Sequence, residues 1–250
     1  MNKPNYSTTF ALNFELKEME LEILYQDKYF CAINKPAGLM VHKSWVARNA
    51  EHYAMQLLRD QLGQYVYPVH RLDRATSGLL LFGLSSDYCT AAQTLIQEKK
   101  ITKKYWALVR GYAPEEGKID RPLSSEYSDI EKEALTIFKK LEQTEAPYKV
   151  ADRYPACRTS LMEAQPITGR THQLRQHFAK LRHYIIGDNK HGDHKLNKGY
   201  KALLGLENML LHARSLSFIH PYTKEQIDIE APIPDYYDKI LTDLGYSHHR

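Results

Sequence analysis

The sequence predicts an α+β fold built on a mixed, mainly antiparallel central sheet with flanking helices. Three observations carry this expectation. Short segments rich in β-branched and aromatic residues recur along most of the chain and end at Gly, Pro, Asn or Asp. Apolar residues take helical spacing in only a few places. The two kinds of segment do not alternate regularly, which argues against a doubly wound parallel sheet.

Residues 1–18 are polar and mixed, without the apolar core of an export signal, and read as a flexible N-terminal arm. Residues 19–250 then form one domain, since no repeat, low-complexity tract or Pro/Gly-rich linker divides them. Strands are expected at 22–25, 29–33, 67–72, 79–84, 105–109, 159–164, 209–211, 215–219 and 226–229. Ala54, Leu57 and Leu58 space helically, with Gly63 as the stop. Ser86 is expected to cap a helix carrying Ala91, Ala92, Leu95 and Ile96. Leu174, Phe178 and Leu181 mark an amphipathic helix over 172–182. Pro234 opens a last helix that Gly245 closes. The polar stretch 124–134 reads as an exposed loop or insertion.

Composition narrows the function. With 250 residues, 43% of them hydrophobic, the chain is long enough to bury a substantial core. No apolar run approaches the roughly 20 residues of a membrane helix, so the expected location is the cytoplasm. Cys31, Cys89 and Cys157 form no C-x-x-C pair and read as small core residues. The net charge of +4 is modest, but its distribution is uneven. Lys99, Lys100, Lys103 and Lys104 cluster, as do Arg170, Arg175, Lys180, Arg182, Lys190 and Lys195. Acidic residues gather instead at Glu126, Asp129, Glu131, Glu133, Glu142 and Glu145. Such segregation suits a polyanionic partner, although each run also fits a solvated face.

The block His70-Arg71-Leu72-Asp73-Arg74-Ala75-Thr76-Ser77-Gly78 is the most informative. It sets a carboxylate between arginines and is followed by the apolar run Leu79-Leu80-Leu81-Phe82. A carboxylate held by arginine stays ionised and is available as nucleophile or base. If 69–73 runs extended, Arg71 and Asp73 share one face and Leu72 points into the core. A surface ion pair beside a turn fits the same residues.

Two further segments bear on that choice. Tyr105 sits in a strand directly after the lysine cluster, where an aromatic ring offers a stacking surface for a base. The segment Thr168-Gly169-Arg170-Thr171-His172-Gln173-Leu174-Arg175 turns from a strand into a helix whose N-terminus and cations suit phosphate. Arg175, beside the apolar stripe of that helix, can reach a buried carboxylate. His172, His177, His183, His191 and His194 invite a metal reading, but they lack the H-E-x-x-H spacing and lie among cations. No phosphate loop or nucleophile elbow is present either, so neither metal nor cofactor is expected.

Together these segments resemble the pseudouridine synthases of the RluA type over about residues 20–232. The resemblance also rests on Asn34-Lys35-Pro36-Ala37-Gly38-Leu39, Lys104-Tyr105-Trp106-Ala107 and Ile185-Ile186-Gly187-Asp188, then Leu210-Leu211-His212-Ala213 and His220-Pro221. Val41-His42-Lys43-Ser44-Trp45 and Asp188-Asn189-Lys190-His191-Gly192-Asp193 point to a tRNA-acting branch. The resemblance implies a sheet with an RNA-binding cleft across its middle and isomerisation of a uridine, expected in the T-stem of tRNA. Asp73 would act on a flipped base. Arg71 would fill the gap that the base leaves, Tyr105 would stack on it, and Arg175 would pair with Asp73. Lys104, Arg170 and His172 are further candidates for RNA contact. The implied partner is RNA, without membrane, DNA or an oligomeric partner. A ribosomal-RNA substrate, or an RNA-folding role with incidental catalysis, remains the alternative.

Overall fold

The apolar run Leu79–Phe82 becomes one of the most deeply buried strands. In the computed structural model, which describes residues 20–42, 52–125, 128–150 and 156–247, Leu79 to Phe82 lie in a strand buried at every position. The expected arm of residues 1–18, and Lys43, Ser44, Trp45 and Glu126, lie outside the described residues.

The chain order is β1 (Glu22–Gln26), β2 (Phe30–Lys35), α1 (Ala54–Leu62), β3 (Tyr67–Pro68), β4 (Ser77–Gly83), α2 (Ser86–Gln97), β5 (Thr102–Arg110) and β6 (Glu116–Asp120). It continues with β7 (Leu123–Ser125), β8 (Ser128–Lys132), β9 (Leu135–Ala146), β10 (Cys157–Pro166) and α3 (Gln173–Lys180). Last come α4 (His194–Leu204), β11 (Leu211–Ile219), β12 (Gln226–Glu230) and α5 (Asp235–Asp243).

Ten strands make one sheet in the order β1-β2-β4-β11-β5-β10-β9-β6, with β12 paired to β11 and β3 to β4. Among the strand pairs of the described residues only β4 and β11 run parallel, His212 facing Ser77 and Ala213 facing Gly78. The sheet is therefore mixed and mainly antiparallel, as expected. Alternation along β5 divides the core between its two faces. Tyr105, Ala107 and Val109 join the apolar cluster that includes residues of α1, α2 and α3. Leu108 joins the cluster with Leu196 and Tyr200 of α4 and Tyr237 and Leu241 of α5.

Several elements differ from expectation. The strand expected at 67–72 ends at Pro68. Val69 still donates to the Leu81 carbonyl at 2.9 Å. The next ladder position is taken by a side chain, because the Leu81 amide donates to His70 Nε2 at 3.3 Å. The backbone thus leaves the ladder at His70, and residues 71–76 connect it to the start of the interior strand β4. The two strands expected at 209–211 and 215–219 are one, β11, with an irregularity between Ala213 and Ser215. The stretch 124–134, expected as a loop, contributes to the β7–β8 pair. Strands β6 and β9 and helix α4 were not expected. The cap of α2 is Ser85, whose side chain accepts from the Tyr88 amide at 3.2 Å, and Ser86 is the first helical residue.

Candidate active site

Gly78 fixes where the charged block meets the sheet. Its φ of +102° is open only to glycine, and a Cβ there would collide with the Ala213 backbone of β11. That close approach places the 70–76 segment at the middle of the sheet, beside β5. Within the segment the Thr76 amide donates to the Asp73 carbonyl at 3.0 Å, closing a turn. Leu72 is buried beneath it and Asp73 is half-buried.

A second loop braces this turn from below. Lys35 is fully buried, and its Nζ donates to the carbonyls of Pro36 at 2.8 Å, Leu39 at 2.9 Å and Arg74 at 3.4 Å. Burial pulls the Lys35 ammonium down to about 7, against the attraction of the Asp73 charge. Arg74 completes the clamp: its Nε donates to the Gly38 carbonyl at 2.9 Å, and its own carbonyl accepts from the Gly38 amide at 2.8 Å.

The opposite wall is the strand–turn–helix of 166–175. Gln173 locks it by accepting from Thr168 Oγ1 at 2.7 Å and the Arg170 amide at 3.0 Å. Its Nε2 donates to Leu135 O at 2.9 Å and Thr136 Oγ1 at 3.0 Å. Leu174 and Phe178 are buried on the apolar stripe of α3, which turns Arg175 inward. Arg175 Nη1 donates to Asp73 Oδ2 at 3.0 Å, while Nε and Nη2 each donate to the Asp188 carboxylate at 2.8 Å. One guanidinium thus joins two carboxylates, one almost fully buried and one open to the cleft. Burial alone would raise the Asp188 carboxyl. The bonds from Arg175 and from the His191 and Lys190 amides outweigh it, and the carboxyl is held below its ordinary value.

Between these walls lies a cleft of about 300 Å³. Asp73, Arg71, Tyr105, Arg170, His172 and Arg175 all line it. Tyr105 is buried in the floor, where burial first and the Asp73 charge second push its phenol well above 10. Arg71 and Arg170 are exposed at the mouth. His172 Nε2 lies 3.8 Å from Asp73 Oδ1. The structure does not bring Lys104 into this group: it pairs with Glu163 of β10 at 2.9 Å, and alternation along β5 puts Lys103 into the cleft instead.

Sequence reasoning did not assign site roles to Asp188, Lys35, His191, Lys103 or Gln173. Lys103 was recoverable, since positions 103 and 105 of one strand share a face. Asp188 and Lys35 lie in segments that carry the family resemblance, but their partners are distant in sequence, and spacing cannot pair them.

The chain is similar to known proteins along most of its length. A family model described as RNA pseudouridylate synthase matches residues 29–180. A Vibrio parahaemolyticus protein named tRNA pseudouridine synthase C is 45% identical over 234 residues, covering 90% of this chain and 95% of that one. A Haemophilus influenzae protein of the same name is 43% identical over 238 residues, covering 91% and 99%. Among solved structures, human RNA Pseudouridylate Synthase Domain Containing 4 superposes with a TM-score of 0.69 at 26% identity, covering 96% of this chain and 98% of that one.

Proposed function

The chain belongs to the RNA pseudouridylate synthase family, and we propose that it converts uridine 65 in the T-stem of tRNA to pseudouridine with Asp73 as the reacting carboxylate. The observation that carries the assignment of Asp73 is its 3.0 Å bond to Arg175 in a cleft floored by Tyr105. The tRNA substrate is supported by the names and near-full coverage of the bacterial relatives. We place the reaction in the cytoplasm on the same ground. No helix among the described residues is long and apolar enough to cross a membrane.

A uridine in a stem must leave its stack to reach a carboxylate at this depth. Arg71, exposed at the cleft mouth, takes the gap in the stem. Tyr105 supports the extruded uracil ring, and Arg170 and Lys103 face the adjoining phosphates. Asp73 acts on the nucleotide as the bond between N1 and C1′ breaks. The uracil turns while held and rejoins C1′ through C5. The proton on C5 leaves and N1 gains one, so the product is an isomer of the substrate. Arg175 keeps the carboxylate aimed throughout.

The test compares the wild type with Asp73→Asn on transcribed tRNA, with pseudouridine mapped in total RNA from a strain lacking the gene. Turnover is expected to fall by at least about a thousandfold in Asp73→Asn while tRNA affinity changes little. The mapped loss is expected at the T-stem. Appreciable turnover by the variant would remove Asp73 from the reaction, and a loss confined to ribosomal RNA would replace the substrate.

A further inference from the structure

The turn Asp188–Gly192 sends two arms to Asp73, and only one of them is the arginine. Asp188 Oδ1 accepts from the Lys190 amide at 2.8 Å and the His191 amide at 3.0 Å, besides its bond from Arg175. The turn is tight: a Cβ on Gly192 would collide with the Asp188 carbonyl. It fixes the His191 ring so that Nε2 lies 2.9 Å from Nδ1 of His172. His172 holds a left-handed backbone, φ 53° and ψ 27°, at the cap of α3. A non-glycine residue takes that conformation at a cost, and such strain gathers at functional sites. Its Nε2 then faces Asp73 Oδ1, whereas Arg175 bonds Oδ2.

Two neutral imidazoles in this contact share one proton, and there are two ways to place it. If His172 donates from Nδ1, its Nε2 turns a lone pair toward the Asp73 carboxylate, which is repulsive. If His191 donates from Nε2, His172 carries its proton on Nε2 and turns an N–H toward Oδ1. The second arrangement is electrostatically favoured. Burial lowers both imidazoles below their ordinary range. Arg175 adds to this for both, Arg71 for His172 and Lys190 for His191, while Asp188 opposes it for both and Asp73 for His172.

We propose that His191 and His172 are positioning residues for the isomerisation: His191 sets the proton of His172 on Nε2, and that N–H orients the oxygen of Asp73 that Arg175 leaves. The single buried carboxylate of Asp188 then anchors both arms, the guanidinium arm to Oδ2 and the imidazole arm to Oδ1. The inference rests on Asp73 being the reacting group.

Long-range proton–nitrogen spectra of the full-length protein at pH 8, with His172 assigned through His172→Gln, read the tautomer directly. The Nε2–H form of His172 is expected in the wild type and in His191→Gln, whose amide N–H can still donate to Nδ1. A tautomer mixture is expected in His191→Leu. Single-turnover rates on tRNA are expected to fall about tenfold in His191→Leu with unchanged affinity, and to stay within about threefold of wild type in His191→Gln. An Nδ1–H tautomer in the wild type, or a rate unaffected by His191→Leu, overturns the proposal. Should His191→Leu fail to fold, His191→Phe, which also lacks a donor to Nδ1, takes its place with the same tautomer and rate readings and the same expected outcomes. An active Asp73→Asn protein would remove the premise about Asp73 while leaving the tautomer assignment standing, so the two failures are told apart.

Discussion

Asp73 draws its geometry from a residue that touches no part of the cleft. Asp188 is almost fully buried and its carboxylate holds Arg175 and the amides of Lys190 and His191. Asp188→Asn keeps the shape but replaces one acceptor oxygen with a donor, which faces a guanidinium that can only donate. Arg175 is then left buried with half its compensation. Breaking a buried pair of this kind costs several kcal/mol of stability. The loosened arginine should also lower kcat by about 10–100-fold, with tRNA affinity nearly unchanged. Chemical denaturation and single-turnover kinetics on the same preparation separate the two effects. A variant that loses stability but retains full kcat would show that Asp188 only supports the fold.

At the scale of elements, the site depends on one parallel strand pair inside an otherwise antiparallel sheet. Gly78 lets β4 approach β11 at Ala213, and the loop bearing Asp73 runs directly into that contact. Gly78→Ala should cost on the order of 3 kcal/mol through a forbidden φ and a backbone collision. It should also depress kcat, because the 70–76 segment must shift with β4; a variant with wild-type Tm and rate would refute this. The sequence block around Gly78 was legible because charge, turn and apolar run lie side by side in the chain. Arg175 was legible from the stripe of Leu174 and Phe178, which left it one position from the core. Other elements were hidden for identifiable reasons. Strand β9 carries Lys139, Lys140, Glu142 and Glu145, so its buried Thr136 and Phe138 leave little periodic signal. Helix α4 was hidden because His194, Lys195, Lys198 and Lys201 dominate its sequence. Yet Asp193 caps it by accepting from Lys195 and Leu196, and Leu196, Tyr200 and Leu204 form its buried stripe. The end of β3 could not be read at all, since it is decided by the His70 ring capturing an amide eleven residues away.

Over the whole molecule, buried neutral histidines join the site to the core and make the fold sensitive to acid. His212 is fully buried between three elements. Its Nδ1 accepts from Ser77 Oγ at 2.9 Å, and its Nε2 donates to the Ala231 carbonyl at 3.3 Å. Ser77 in turn accepts from the hydroxyl of Tyr236 on α5 at 3.1 Å. Burial pulls the His212 imidazole down to about 4. Burial, with Lys103 adding to it, pulls His70 down to about 3, and protonation of His70 Nε2 would remove the acceptor of the Leu81 amide. Both groups have an ordinary value near 6.5 in the unfolded chain. Between pH 6.5 and about 4 the unfolded chain therefore binds protons that the folded protein does not. The contribution of these two histidines must fall as pH falls through that window, and it is retained above it. Each histidine contributes about 2 kcal/mol of loss between pH 7.5 and pH 5, since one pKa unit is about 1.4 kcal/mol. His172, His177 and His191 are shifted in the same direction and steepen the slope. Urea denaturation at pH 7.5 and pH 5 should show a drop of at least about 4 kcal/mol. His212→Asn should be less stable at pH 7.5 yet lose about 2 kcal/mol less on acidification, because one proton has left the linkage. Equal slopes for variant and wild type would mean that folding leaves the proton affinity of His212 unchanged, and the Ser77–His212–Ala231 bridge behind the cleft would need another arrangement of donors.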